Sequence, residues 1–122
     1  MFASLNTVRT LAPARGWAEE PLDAYDAEGH AALAASLDTP VATGEMLTGA
    51  EEYARLIEAG AADFVQPDAP RVGGITPFLR VMALADHKGL SLAPHFAMEV
   101  HLRLAAAYRG TAWVEHFDWL EP

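Results

Sequence analysis

Residues 61–95 read AADFVQPDAPRVGGITPFLRVMALADHKGLSLAPH, and two short apolar runs flank a longer helical pattern in this segment. The runs Phe64–Gln66 and Ser91–Pro94 have the length of strands, whereas Ile75–His87 has the length and apolar spacing of a helix. Gly89 follows at a position where helices commonly end with a positive φ. Two strands joined through a helix are typical of parallel neighbours, because parallel strands need a long return connection.

The same alternation continues in both directions along the chain, with a period of roughly 25 residues that is typical of βα units. A pattern of short strands and longer helices predicts an α/β fold with a parallel sheet. We see neither a flexible linker nor a sequence repeat, so one domain or part of one is the economical interpretation. The remaining predicted strands are Trp17–Glu20, Val41–Thr43 and Trp113–Glu115, and the remaining predicted helices are Ala3–Ala12, Asp26–Ser36 (with an Asp cap), Ala50–Ala59 (ended by Gly60) and Met98–Tyr108.

The composition excludes several classes of protein. Of the 122 residues, 17 are acidic and 8 are basic, and the basic ones are scattered, so we expect no binding to nucleic acid. The sequence has neither an apolar run long enough to span a membrane nor a signal-peptide pattern, so we expect a soluble, cytoplasmic protein without a membrane partner. Since the chain has no cysteine, a metal site would have to use oxygen or imidazole ligands.

An ionisable residue follows or ends each of five predicted strands: Glu19, Glu45, Asp68, His95 and Glu115. In parallel barrels the carboxyl ends of the strands meet on one face, so these side chains would point into one site. Buried charges are costly, and a shared site explains five of them more simply than structure does. Taken singly, however, a glutamate is more often a solvated charge and a histidine more often structural.

Several motifs in one order resemble the mandelate racemase/muconate lactonizing enzyme family of the enolase superfamily, including its sugar-acid dehydratases. The resemblance implies that residues 1–122 are part of that family's C-terminal TIM-type (β/α) barrel, with about four and a half βα units. The motifs are Trp17-Ala18-Glu19-Glu20-Pro21, Thr39-Pro40-Val41-Ala42-Thr43-Gly44-Glu45, Val65-Gln66-Pro67-Asp68, Gly73-Gly74-Ile75-Thr76, Ala93-Pro94-His95, Glu99 to His101, and Val114-Glu115-His116-Phe117-Asp118-Trp119-Leu120.

The resemblance also implies a role for each of the five residues. Glu19 and Glu45 would bind Mg²⁺, for which hard oxygen ligands are suited. Asp68 and His95 would form a catalytic dyad, and Glu115 would hydrogen-bond the substrate carboxylate as negative charge develops on it. The implied reaction removes the proton next to a carboxylate, followed by dehydration of an acid sugar or racemisation of a 2-hydroxy acid.

The sequence departs from the family pattern because it has no Lys-x-Lys motif and starts just before the Glu19 strand. The family's capping domain, early strands, lysine base and first metal-binding aspartate would all precede this point. Because a partial parallel sheet has unpaired edges, we expect a homo-oligomer or pairing with the missing N-terminal half. The alternative is a non-catalytic remnant or assembly subunit that binds a partner through those edges.

Overall fold

A computed structural model of the chain describes residues 16–117, and these residues alternate between short strands and longer helices. The predicted helix Ala3–Ala12 lies outside the described residues. The strands are β1 Ala18–Glu19, β2 Val41–Thr43, β3 Phe64–Val65 and β4 Ser91–Leu92, and the helices are α1 Ala27–Ser36, α2 Ala50–Glu58, α3 Ala69–Val72, α4 Ile75–His87 and α5 Met98–Ala106.

The four strands form one parallel sheet in the order β1-β2-β3-β4, which is also their order along the chain. The register pairs Ala18 with Val41, Thr43 with Val65, and Val65 with Leu92. Helices connect successive strands, as parallel pairing requires. The predicted α/β class and parallel sheet are therefore confirmed.

Local sequence signals place three of the helix ends. The Asp26 carboxylate accepts a hydrogen bond from the Gly29 amide at 2.8 Å, so the predicted Asp cap of α1 is confirmed. Gly60 and Gly89 follow α2 and α4 with φ of 71° and 69°, as expected for glycines that end helices. The four-residue helix α3 was not predicted, because it is too short to show a helical period.

The predicted fifth strand, Trp113–Glu115, is wrong for the described residues, which form only an isolated parallel bridge between Leu92 and Ala112. Leu92 exchanges backbone hydrogen bonds with Thr111 and Trp113, whereas the next residue, Ala93, donates to Val65 on the opposite side. The alternation of a strand therefore turns the nitrogen of Pro94 towards the would-be fifth strand. Proline has no N–H, so the ladder lacks the donor that would bond the carbonyl of Trp113.

The hydrophobic core lies between the sheet and helices α2 and α4. Val41, Val65 and Leu92 are fully buried, as are Tyr53 of α2 and Phe78 of α4. All three residues of β2 are buried, so this strand lies at the centre of the packed part of the sheet. None of the helices within residues 16–117 is both long and apolar enough to cross a bilayer.

Candidate active site

The five ionisable residues predicted to form a site all lie at the carboxyl end of the sheet. Glu19 is the last residue of β1, and Glu45 follows β2 by two residues. Asp68 and His95 each follow their strand by three residues, while Glu115 comes from the extended segment after the bridge at Ala112. Parallel pairing in register brings these strand ends, and the residues that follow them, to one edge of the sheet.

Asp68 and His95 are in direct contact, with 3.0 Å between the Asp68 Oδ2 and the Nδ1 of His95. Since a carboxylate only accepts, Nδ1 carries the hydrogen and donates it. The other carboxylate oxygen of Asp68 accepts from the Arg71 amide at 3.0 Å and caps α3. The Asp68 side chain is 8% exposed and that of His95 22%, so the pair is largely shielded from solvent. The bond from the Arg71 amide fixes the carboxylate, and the bond from Nδ1 then holds the imidazole in one orientation.

The free end of the His95 ring points towards Glu45, with 3.7 Å between Nε2 and a carboxylate oxygen. Burial raises the pKa of Glu45, His95 opposes this shift, and the negative charges of Glu20, Glu19 and Glu115 add to it. These carboxylates are therefore close enough to interact electrostatically at the carboxyl end of the sheet. A site of this kind favours a bound cation, because a cation relieves the repulsion among the carboxylates.

Glu20 has a structural role that the sequence did not reveal. Its carboxylate accepts hydrogen bonds from the Thr43 hydroxyl at 2.7 Å and from the Gly44 amide at 2.9 Å. It therefore ties the end of β1 to the loop that carries Glu45. Glu19, in contrast, is exposed and accepts from the indole N–H of Trp17 at 3.1 Å. Glu19 is the last residue of β1, whereas Glu20 follows the strand with a φ of 38°.

The loop before Glu45 depends on Gly44 and on a buried tyrosine. Gly44 has φ of 121°, and a Cβ there would lie 3.0 Å from the ring of Tyr53. The Tyr53 hydroxyl donates to the Gly44 carbonyl at 2.6 Å. Burial raises the pKa of Tyr53, so this hydroxyl stays a neutral donor. The glycine of the Gly-Glu motif is therefore required for backbone shape and close packing.

Glu115 lies in the same region and makes a backbone contact that was not predicted. Its carboxylate accepts a hydrogen bond from the backbone N–H of Phe96, the residue after His95. The contact brings Glu115 beside the dyad and stabilises the loop that carries the imidazole. Its predicted contact with a substrate carboxylate stays a prediction.

The carboxylates suit a magnesium ion chemically but do not form a complete site by themselves. Within residues 16–117, no group of three or more His, Cys, Asp or Glu side chains is arranged to hold a metal ion. Mg²⁺ prefers six oxygen ligands and commonly takes several from water or substrate. Glu19 and Glu45 have the oxygen donors for two of those ligands, and burial together with neighbouring negative charges raises the pKa of Glu45, which a nearby cation would oppose.

Comparison with known proteins gives one consistent result. The model of a family described as "Enolase C-terminal domain-like" matches residues 3–122. L-talarate/galactarate dehydratase of Salmonella typhimurium is 69% identical over 106 residues, which are 87% of this chain and 27% of that protein. D-galactonate dehydratase of Ralstonia nicotianae is 40% identical over 89 residues, which are 72% of this chain and 23% of that protein.

A solved structure of L-talarate dehydratase from Polaromonas sp. JS666, complexed with Mg and L-glucarate, superimposes with a TM-score of 0.90 at 64% identity. The match covers 97% of this chain and 32% of that one. The chain thus spans between about a quarter and a third of the relatives that it matches. The fold class, the C-terminal part of a TIM-type (β/α) barrel, is confirmed.

Proposed function

The chain belongs to the enolase C-terminal domain-like family, and from this membership we propose that it forms part of the active site of a Mg²⁺-dependent sugar-acid dehydratase. The reaction is the net loss of one water molecule: a proton leaves the carbon next to a carboxylate, and a hydroxyl leaves the following carbon.

The observation that carries the proposal is the arrangement of His95 between two carboxylates. Asp68 holds Nδ1 at 3.0 Å, and Nε2 lies 3.7 Å from Glu45 at the open end of the sheet. A carboxylate on one nitrogen fixes the tautomer and supports positive charge on the ring. The opposite nitrogen then exchanges a proton with a substrate held next to Glu45.

The substrate class follows from the degree of similarity. The chain is 69% identical to a talarate/galactarate dehydratase and 40% identical to a D-galactonate dehydratase. Talarate and galactarate carry a carboxylate at both ends, whereas galactonate carries one. The higher identity favours a six-carbon sugar diacid as the substrate.

Each residue of the site has its own role in the proposed reaction. Glu19 and Glu45 hold the ion, and Mg²⁺, when bound, supplies positive charge against the negative charge that develops on the substrate carboxylate. His95 moves the proton at Nε2, and Asp68 orients it. Glu115 keeps the loop after His95 in place through one oxygen, and its second oxygen, when protonated, donates a hydrogen bond to the substrate carboxylate.

We also infer that the outer edge of β1 pairs with another segment. Within residues 16–117, β1 pairs only with β2, which leaves its other edge without a neighbouring strand. Parallel strands are normally paired and covered on both sides. The part of the family's barrel that this chain does not span, or a second copy of this chain, would supply the partner.

The test is dehydration of galactarate, L-talarate and D-galactonate with and without Mg²⁺. The chain is assayed alone and after co-expression with the part of the Salmonella relative that it does not span. We expect Mg²⁺-dependent turnover of the diacids, lost in His95→Asn and in Glu45→Gln but retained in His87→Asn, which changes an exposed histidine of α4. A stable complex without turnover of any of the three would contradict the proposal and favour a non-catalytic assembly subunit.

A further inference from the structure

A second histidine, His101 of α5, connects the two loops that carry the dyad. Its Nε2 accepts a hydrogen bond from the backbone N–H of Ala69 at 3.0 Å. Its Nδ1 lies 3.0 Å from the backbone carbonyl of Phe96. Ala69 directly follows Asp68 and Phe96 directly follows His95, so one imidazole ring spans the distance between the two loops.

The two contacts fix the state of the His101 ring. A carbonyl oxygen only accepts and an amide N–H only donates, so Nδ1 carries the hydrogen and Nε2 carries none. The ring is fully buried and stacks on Phe78, with 5.5 Å between centroids and 19° between planes. Since both nitrogens are bonded and one face is packed, the ring acts as a rigid spacer.

On the Asp68 side, His101 satisfies a group that the helix cannot. The first amides of a helix have no partner within it. The Asp68 side chain accepts from the Arg71 amide, and the Ala69 amide is left for His101. The start of α3, and with it the backbone of Asp68, is therefore anchored to α5.

On the His95 side, His101 holds a strained backbone. Phe96 and Ala97 have φ of 58° and 26°, which residues other than glycine rarely adopt. The N–H of Phe96 donates to Glu115 and its carbonyl accepts from His101. Two side chains thus hold the backbone of one residue, at its N–H and at its carbonyl, immediately after His95.

We propose that His101 is a positioning residue, which sets the separation of Asp68 and His95 by bonding the residue that follows each of them. The catalytic meaning of this role rests on the proposed function, whereas the role itself concerns only the geometry of the pair.

The chain offers matched variants for a test. His101→Phe keeps a ring against Phe78 but removes both polar atoms. His101→Gln keeps one donor and one acceptor on a side chain of sufficient length. The control is His30→Phe, because His30 is also a fully buried helical histidine but bonds the Asp26 carbonyl of its own helix start.

The measurements are amide hydrogen exchange at Ala69 and imidazole ¹⁵N–¹H spectra of the full chain. In His101→Phe we expect Ala69 exchange to accelerate about tenfold, the effect of one lost hydrogen bond, together with loss of the slowly exchanging Nδ1–H signal of His95. We expect His101→Gln to restore most of both, and His30→Phe to leave both unchanged.

Two results would overturn the proposal. One is a wild-type spectrum in which His101 carries its hydrogen on Nε2. This measurement needs no variant, so it tests the proposal even if a variant does not fold. The other is a folded His101→Phe in which both signals match those of the wild type. Neither measurement uses turnover, so an absence of dehydratase activity with the expected spectra would reject the proposed function and leave the positioning role intact.

Discussion

Replacement of Asp68 separates the two tasks that its carboxylate performs. One oxygen caps α3 through the Arg71 amide and the other bonds Nδ1 of His95, both at 3.0 Å. Asp68→Ser retains a capping hydroxyl but is too short to reach the imidazole, whereas Asp68→Ala removes both contacts.

The structure sets the size of each effect on the free energy of unfolding. A hydrogen bond to a charged group contributes about 1.5–3 kcal/mol, and the 22% exposure of His95 favours the lower end, so we expect Asp68→Ser to cost about 1.5 kcal/mol. Loss of a helix cap adds about 1 kcal/mol, which gives about 2.5 kcal/mol for Asp68→Ala. Asp26 provides the control, because it caps α1 through the Gly29 amide.

The assay is equilibrium unfolding in urea, with the slope compared among variants to confirm that only stability has changed. The free energies of unfolding of the Ser and Ala variants should differ by about 1 kcal/mol at position 68 and also at position 26. Equal stability of Asp68→Ser and the wild type would refute the contribution of the dyad bond. Equal stability of Asp68→Ser and Asp68→Ala would refute the capping role.

Three further predictions concern the loop of Glu45. In urea unfolding, Gly44→Ala should lower the free energy of unfolding by at least about 2 kcal/mol, because it combines an unfavourable φ with a clash against Tyr53. The control is Gly60→Ala, where the added Cβ meets open space and should cost about 1 kcal/mol. Equal losses of stability in the two variants would contradict this reasoning. Tyr53→Phe should cost about 1–2 kcal/mol in the same assay, because the Gly44 carbonyl loses its buried donor, and an unchanged stability would argue against that bond. Burial, with the neighbouring negative charges, raises the pKa of Glu45, so the folded form binds this proton more tightly than the unfolded form, and the contribution of Glu45 to stability should fall as pH rises above 4.5. The advantage of Glu45→Gln in thermal unfolding without Mg²⁺ should therefore grow with pH, and a constant difference would count against the raised pKa.

Most of the fold was predictable because its signals are local. Segment length, apolar spacing, the Asp26 cap and the two helix-ending glycines depend on neighbours within a few residues, and the structure reproduces them closely. The fifth strand was wrong because its pairing depends on the proline at position 94, whose missing N–H faces the would-be neighbour. A residue far along the chain thus removes one of the hydrogen bonds that Trp113–Glu115 needed to pair as a strand.

By itself, the sequence determined which residues reach the carboxyl end of the sheet, because a strand ends where its apolar run ends and parallel strands end on one side. It also carried the ordered motifs that indicate the family. Only the tertiary structure decided which side chains touch: Glu20 with the Gly44 amide, Glu115 with the Phe96 amide, and His101 with the Ala69 amide. The physical reason is that hydrogen bonds demand distances near 3 Å, and contacts between residues about twenty or more positions apart are fixed by loop shape and side-chain rotamers, which local spacing does not encode.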